Sequence, residues 1–274
     1  MDHIPFPSQQ IGEFSITAIS DGYLSASLDL LSNIGSMDAS KLQQDAGVSD
    51  PSSIHINCYL VRGRGRTILI DAGAGGFKQW GGKLKVNLAL AGVQASDIDT
   101  ILLTHAHPDH VGGLLDASGE AAFPDAQLVV HQHEVAFWED DGNLSRASER
   151  ARGNFLSARK VFDKYREKLR LFTGNEVLPG ISAMPLPGHT AGHSGYRIES
   201  GGRSLLIWGI LCISPKSRLR VPTYPLHSTR IPCCRPKHAR HCSMWSAPTT
   251  SSSPACTLAN SASHTSGAKA ISTG

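Results

Sequence analysis

The stretch Thr104-His105-Ala106-His107-Pro108-Asp109-His110 decides how this sequence is read. Residues 100–103, Thr-Ile-Leu-Leu, read as a buried strand that runs straight into it. On extended backbone His105 and His107, two positions apart, point to the same side. Pro108 stops the strand, Asp109 and His110 open a helix, and Gly112-Gly113 permits close backbone approach. Neutral imidazole is a borderline ligand suited to zinc, and a neighbouring carboxylate suits a second ion. An isolated histidine is usually a surface or satisfied core residue. Four potential ligands within six residues at a strand-to-helix junction point instead to a metal centre.

Upstream, Phe14, Ile16 and Ala18 alternate with polar residues, as in a half-buried strand ending at an Asp21-Gly22 turn. Residues 25–53 show no clear period. Residues 54–61 and 67–70 read as two strands joined by Arg62-Gly63-Arg64-Gly65-Arg66, whose arginines suit a solvated hairpin tip. Asp71-Ala72-Gly73 closes the second strand, and a short helix over residues 85–91 ends at Gly92. Downstream, residues 127–130 repeat the buried-strand pattern and residues 134–138 begin a helix. Residues 144–168 read as one long amphipathic helix with Phe155, Val161, Phe162 and Tyr165 on its buried side. Strands at residues 181–185 and 204–208 flank Gly188-His189-Thr190-Ala191-Gly192-His193. Strands alternating with single helices predict α/β layers.

The pattern His-x-His-x-Asp-His resembles the signature of the metallo-β-lactamase superfamily, and the likeness extends over residues 14–209, including Asp71-Ala72-Gly73 and Gly188-His189. The resemblance implies a four-layer αβ/βα sandwich with two divalent metal ions, zinc above all, in a cleft at one end of its sheets. It places His105, His107 and His189 on the first ion and Asp109 and His110 on the second, with Asp109 also among the catalytic groups. Asp71 is then an outer carboxylate that orients ligands, and His193 a supporting residue rather than a ligand. Thr104 through Leu114 and Pro187 through Ser194 look most like the branch containing methyl parathion hydrolase and some N-acyl homoserine lactonases. Hydrolysis of a lactone, ester or phosphotriester by metal-bound hydroxide is the implied activity. β-Lactam hydrolysis is disfavoured, since those enzymes are usually exported. The start Met1-Asp2-His3-Ile4-Pro5 has no cationic segment leading into an apolar one, so a cytoplasmic protein is the expectation. A small-molecule substrate is expected, with no nucleic-acid or membrane partner; a homodimer is left open.

The sequence changes character at Gly209. The first 209 residues hold all 23 acidic residues against 18 of the 26 Lys and Arg, a net −5, whereas the remainder carries +8. Five of the six cysteines, at 212, 233, 234, 242 and 256, lie beyond it. A basic Cys/His tail suggests a zinc knuckle or nucleic-acid binding, but Cys233-Cys234 with scattered histidines has neither ordered ligand spacing nor aromatic interleaving. No helical or strand period persists after Gly209, so residues 210–274 are expected to be an aberrant, disordered tail behind a 1–209 hydrolase domain whose second half is incomplete. The resemblance calls for a metal-bridging aspartate where Ile210 stands, and for a later histidine on the second sheet. One lost base explains all of this. Gly209 through Ser214 can be written GGN-ATA-TTG-TGC-ATT-TCC, and restoring one G gives Gly-Asp-Ile-Val-His-Phe. In that frame residues 249–258 can become Asp-Asp-Leu-Leu-Val-Ala-Gly-Met-His-Leu, a buried strand ending near a histidine. The rival expectation is an inactive or unstable metal-binding product without the bridging carboxylate.

Overall fold

The protein is described by a computed structural model covering residues 6–30, 34–45, 49–186, 188–209 and 256–258. Seven strands form one sheet in sequence order: β1 (Ser8–Ile11), β2 (Phe14–Ser25), β3 (Ser53–Gly63), β4 (Arg66–Ile70), β5 (Thr100–Leu102), β6 (Gln127–His131) and β7 (Leu169–Phe172). The first four pair antiparallel, and β4 through β7 pair parallel. A second sheet holds β8 (Glu176–Leu178), β9 (Ile181–Pro185), β10 (Ser194–Ser200), β11 (Arg203–Ile207) and β12 (Cys256–Leu258), in the order β12-β11-β10-β9-β8.

Residue alternation sorts these strands into layers. Ile68, Ile70, Leu102 and Val129 face the second sheet and meet Val177, Ile181, Tyr196, Ile198, Leu205 and Ile207 in one core. Leu69, Ile101, Leu103, Leu128 and Val130 face the other way, onto the helices. There they meet Leu84 and Leu88 of α2 (Leu84–Leu90), Val111 of α3 (Pro108–Val111), Val135 and Trp138 of α4 (Gln132–Glu139), and Phe155, Val161 and Phe162 of α6 (Glu149–Lys164). The central parallel strands are thus covered on both faces, which is why β5 and β6 read as continuous apolar runs. Among the described residues the layers are helices, sheet, sheet, consistent with the mixed α/β sandwich the sequence predicts; the expected fourth layer is not among them.

Several elements differ from the sequence reading, which named no strand at β1, β7 or β8. The chain does not turn at Asp21-Gly22: β2 continues to Ser25 through a bulge between Ser20 and Gly22, and Gly22 takes φ 115°. Residues 25–53, without a period, contain the ten-residue helix α1 (Ser36–Asp45). The long helix is two, because α5 (Asp141–Arg146) ends and Ser148 caps α6 by accepting from the Ala151 amide. Between the two expected strands of the second sheet lies β10, which forms a hairpin with β11. The expectation of disorder over residues 210–274 lies outside the described residues except at β12, which lies parallel to β11 with Ser204 opposite Cys256. A tail contributing no strand was expected; instead residues 256–258 add to the edge of the sheet beside β11, as edge-strand backbone permits.

Candidate metal centre

The parallel strands β4, β5 and β6 end at one edge of the sheet, and the site residues follow them. Asp71 comes directly after β4, the histidine motif after β5, and α4 after β6. Pro108 is the first residue of α3, and His107 precedes it in extended conformation (φ −74°, ψ 154°). A Cβ on Gly112 or Gly113 would collide with the carbonyl oxygens of Ala74 and Ala72, so both glycines permit the close approach expected of them. His189 arrives from the other sheet, in the turn between β9 and β10. That turn is fastened to the motif by Ser194 N–H donating to Thr104 O at 3.0 Å and Tyr196 O–H donating to Leu103 O at 2.7 Å.

His105, His107 and His189 converge. Their nitrogens lie within 4.8 Å of one another, with His189 Nε2 at 2.9 Å from His107 Nδ1 and 3.1 Å from His105 Nε2. Three ligands on a tetrahedral zinc with Zn–N of about 2.0 Å stand roughly 3.3 Å apart. The donor set and its spacing therefore fit such an ion. The tautomer of His105 follows from its neighbours. Thr104 O–H donates to Asp71 Oδ2 at 2.8 Å, so its oxygen is left to accept from His105 Nδ1–H at 3.1 Å. The Nε2 lone pair then faces His189.

Asp109 and His110 line an adjacent point. His110 Nδ1 donates to Asp71 Oδ2 at 2.8 Å, and His110 Nε2 lies 3.3 Å from Asp109 Oδ2. Asp71 also accepts the Thr104 amide on Oδ1 at 2.8 Å, so one buried carboxylate orients both His110 and, through Thr104, His105. It does so from a left-handed backbone, φ 60°, which costs energy for a residue with a Cβ. His193 contributes no atom to the triad. Its Nε2 is 3.0 Å from the Trp208 carbonyl oxygen, and its ring stands 4.9 Å from that of His105.

Electrostatics divide the cluster. Burial, and then the neighbouring imidazoles, lower the pKa of His105 well below its ordinary value. Burial and then His189 push His107 down to about 3, and burial and then His189 do the same to His193. Neutral imidazole is the form that binds metal. Burial also opposes charge on His110, but Asp109 and Asp71 outweigh it and draw its pKa up to about 10. Burial disfavours the Asp109 carboxylate as well, yet His110 and His107 hold it well below the usual range.

Two groups that the sequence reading passed over complete the site. Thr104 links Asp71 to His105. Glu134, wholly buried on α4, accepts hydrogen bonds from both ligand-bearing segments. Its only signal in the sequence is an acid beside Val135, on the side of the helix where Trp138 packs.

A strand-end carboxylate, a His-x-His-x-Asp-His motif and a third histidine from a second sheet define a class of metal-binding αβ sandwich. The chain belongs to the metallo-β-lactamase superfamily: the family description "Metallo-beta-lactamase superfamily" matches residues 54–209, more than half of it. The solved structure of AidC, titled a dizinc quorum-quenching lactonase in complex with a product, is similar at 28% identity and TM-score 0.66, over 75% of this chain and 74% of that one. AbOPH, titled a hydrolase in the beta lactamase superfamily, is similar at 29% identity and TM-score 0.67, over 74% and 72%. A "probable metallo-hydrolase", YqjP of Bacillus subtilis (strain 168), is 32% identical over 167 residues, 54% of this chain and 50% of its own length. The chain spans about half the length or less of the curated relatives it matches. Among the described residues no helix is long and apolar enough to cross a membrane.

Proposed function

We propose that the intact protein is a metal-dependent hydrolase of a lactone, an ester or a phosphotriester. The observation that carries this is the meeting of three imidazoles from two different sheets at one point, His105 and His107 held neutral by burial, beside an ionised carboxylate. Similarity to a dizinc lactonase supports the lactone in particular. A divalent cation held there supplies Lewis acidity and makes water acidic enough to ionise near neutral pH. His105, His107 and His189 would hold the first ion, and Asp109 with His110 would hold the second. Asp71 fixes the ring of His110 and the tautomer of His105. Asp109 stays ionised, the form in which a carboxylate would ligate a cation.

The chain as written carries a second reading, an inert product. The family match ends at Gly209, the residue beyond which acidic residues and periodicity vanish. Ile210, at the place of the bridging aspartate, lies outside the described residues and has no ligand atom. A base lost after the Gly209 codon accounts for both facts. Restoring one base there should yield hydrolysis that requires Zn²⁺ or Mn²⁺ and stops with a chelator. The unrepaired chain should be slower by about a hundredfold or more, roughly 2.7 kcal/mol of barrier. Equal rates from the two chains would overturn the frameshift, and a repaired chain inert toward all three substrate classes would overturn the hydrolase.

A further inference from the structure

We infer that Glu134 is a positioning residue that clamps the two metal-binding segments to each other, and so sets how tightly the first ion is held. The inference rests on His105, His107 and His189 being ligands. Glu134 lies in the first turn of α4 with no exposed surface. Its Oε1 accepts the Ala106 amide at 2.9 Å and Trp138 Nε1–H at 2.7 Å. Its Oε2 accepts the Thr190 hydroxyl at 2.7 Å and the Gly192 amide at 2.8 Å. Ala106 stands between His105 and His107, and Thr190 directly follows His189. One oxygen therefore holds the segment from the seven-stranded sheet, and the other holds the turn from the five-stranded sheet. Ala106 has no ligand atom and the Thr190 hydroxyl is turned onto Glu134, so the clamp acts by placing the backbone that carries the neighbouring histidines. Trp138, tied to Glu134, also packs its ring 5.5 Å from that of His107. A side chain on Gly192 would strike the backbone of Glu134, so the turn seats directly on the helix.

A carboxylate is required because all four partners arrive as donors. Glutamine keeps one oxygen and turns an NH₂ toward the other pair. Thr190 O–H can reverse and accept from it, but the Gly192 or Ala106 amide cannot. Glu134→Gln therefore releases one segment while preserving size. Supporting groups of this kind are worth about 10–100-fold in metal affinity.

The test uses the full 274-residue chain and cobalt(II), whose visible absorption reports its coordination. Glu134→Gln should bind cobalt about 10–100-fold more weakly, with a changed spectrum, in zinc competition as well. Thr190→Val, which removes one hydroxyl and keeps the shape, should weaken binding about fivefold, and it carries the test if Glu134→Gln does not fold. A role confined to stability would lower the melting temperature of the variants and leave cobalt affinity and spectrum unchanged. That result overturns the inference alone. A wild-type chain that takes up no cobalt overturns the metal reading and the clamp together.

Discussion

The two halves of the metal centre share one wall of the fold and have opposite charge states. At the triad, His105 and His107 are held neutral by burial and then by neighbouring imidazoles, with ring nitrogens that converge on a common point. At the adjacent position, His110 is held protonated between Asp71 and Asp109. The first position is ready for a cation. The second already contains one, a proton, which any metal must displace. Similar residue types a few ångströms apart thus differ in what binding requires of them, and the difference lies in where two carboxylates are placed.

The comparison breaks most directly by removing a ligand from one side. His107→Ala should cost the first ion more than the roughly 100-fold that supporting groups are worth, whereas Asp109→Ala should leave that ion bound. Zinc uptake by equilibrium dialysis separates the two. Equal losses from both substitutions would mean that the positions are not independent.

Acid should sharpen the contrast in the metal-free chain. His107 and His193 have folded pKa values near 3, below the unfolded value of about 6.5. Below pH ~6.5 the unfolded chain binds protons that the folded chain refuses, so stability falls as pH falls, by roughly 1.4 kcal/mol per pH unit for each such histidine. His110, with its raised pKa, is protonated in both states well below pH ~6.5 and adds no slope there. Its stabilising share is instead lost as pH rises toward about 10. Denaturant melts in a chelator at pH 6.5 and 4.5 test this, and a flat profile would contradict the neutral state of His107 and His193.

The smallest change is Asp71→Asn, which suits the left-handed backbone at φ 60°, removes the charge and turns one acceptor oxygen into a donor. The His110 titration, followed by NMR, should move down from about 10. An unmoved titration would assign the protonated state to Asp109 alone.

What the sequence made legible follows the distance between cooperating residues. His105, His107, Asp109 and His110 sit within six positions, so one strand and one proline reveal their geometry. The buried strands β5 and β6 were plain because apolar runs covered on both faces leave a continuous signal. Strand β10 was missed because Ser194-Gly195-Tyr196-Arg197 carries little apolar weight, although Tyr196 is fully buried. The helix break at Ala147-Ser148 depends on a capping hydroxyl rather than on periodicity. Glu134 was illegible as a functional group because three of its four partners lie 28, 56 and 58 residues away. A carboxylate seen without its donors looks like any helix acid.

The bulge in β2 has a consequence in a different observable. It turns the buried Asp21 inward, where Oδ2 accepts the amides of Ala74 at 2.8 Å and Gly75 at 3.3 Å, and Oδ1 those of Gly82 at 3.0 Å and Leu84 at 2.9 Å. Residues 71–83 lack regular strand or α-helix, and such a loop ordinarily trades its amide hydrogens with solvent quickly. These amides instead answer to a carboxylate rooted in the central sheet. In deuterium they should exchange on the clock of whole-molecule opening, alongside the amides of β3 and β4 rather than those of the hairpin tip.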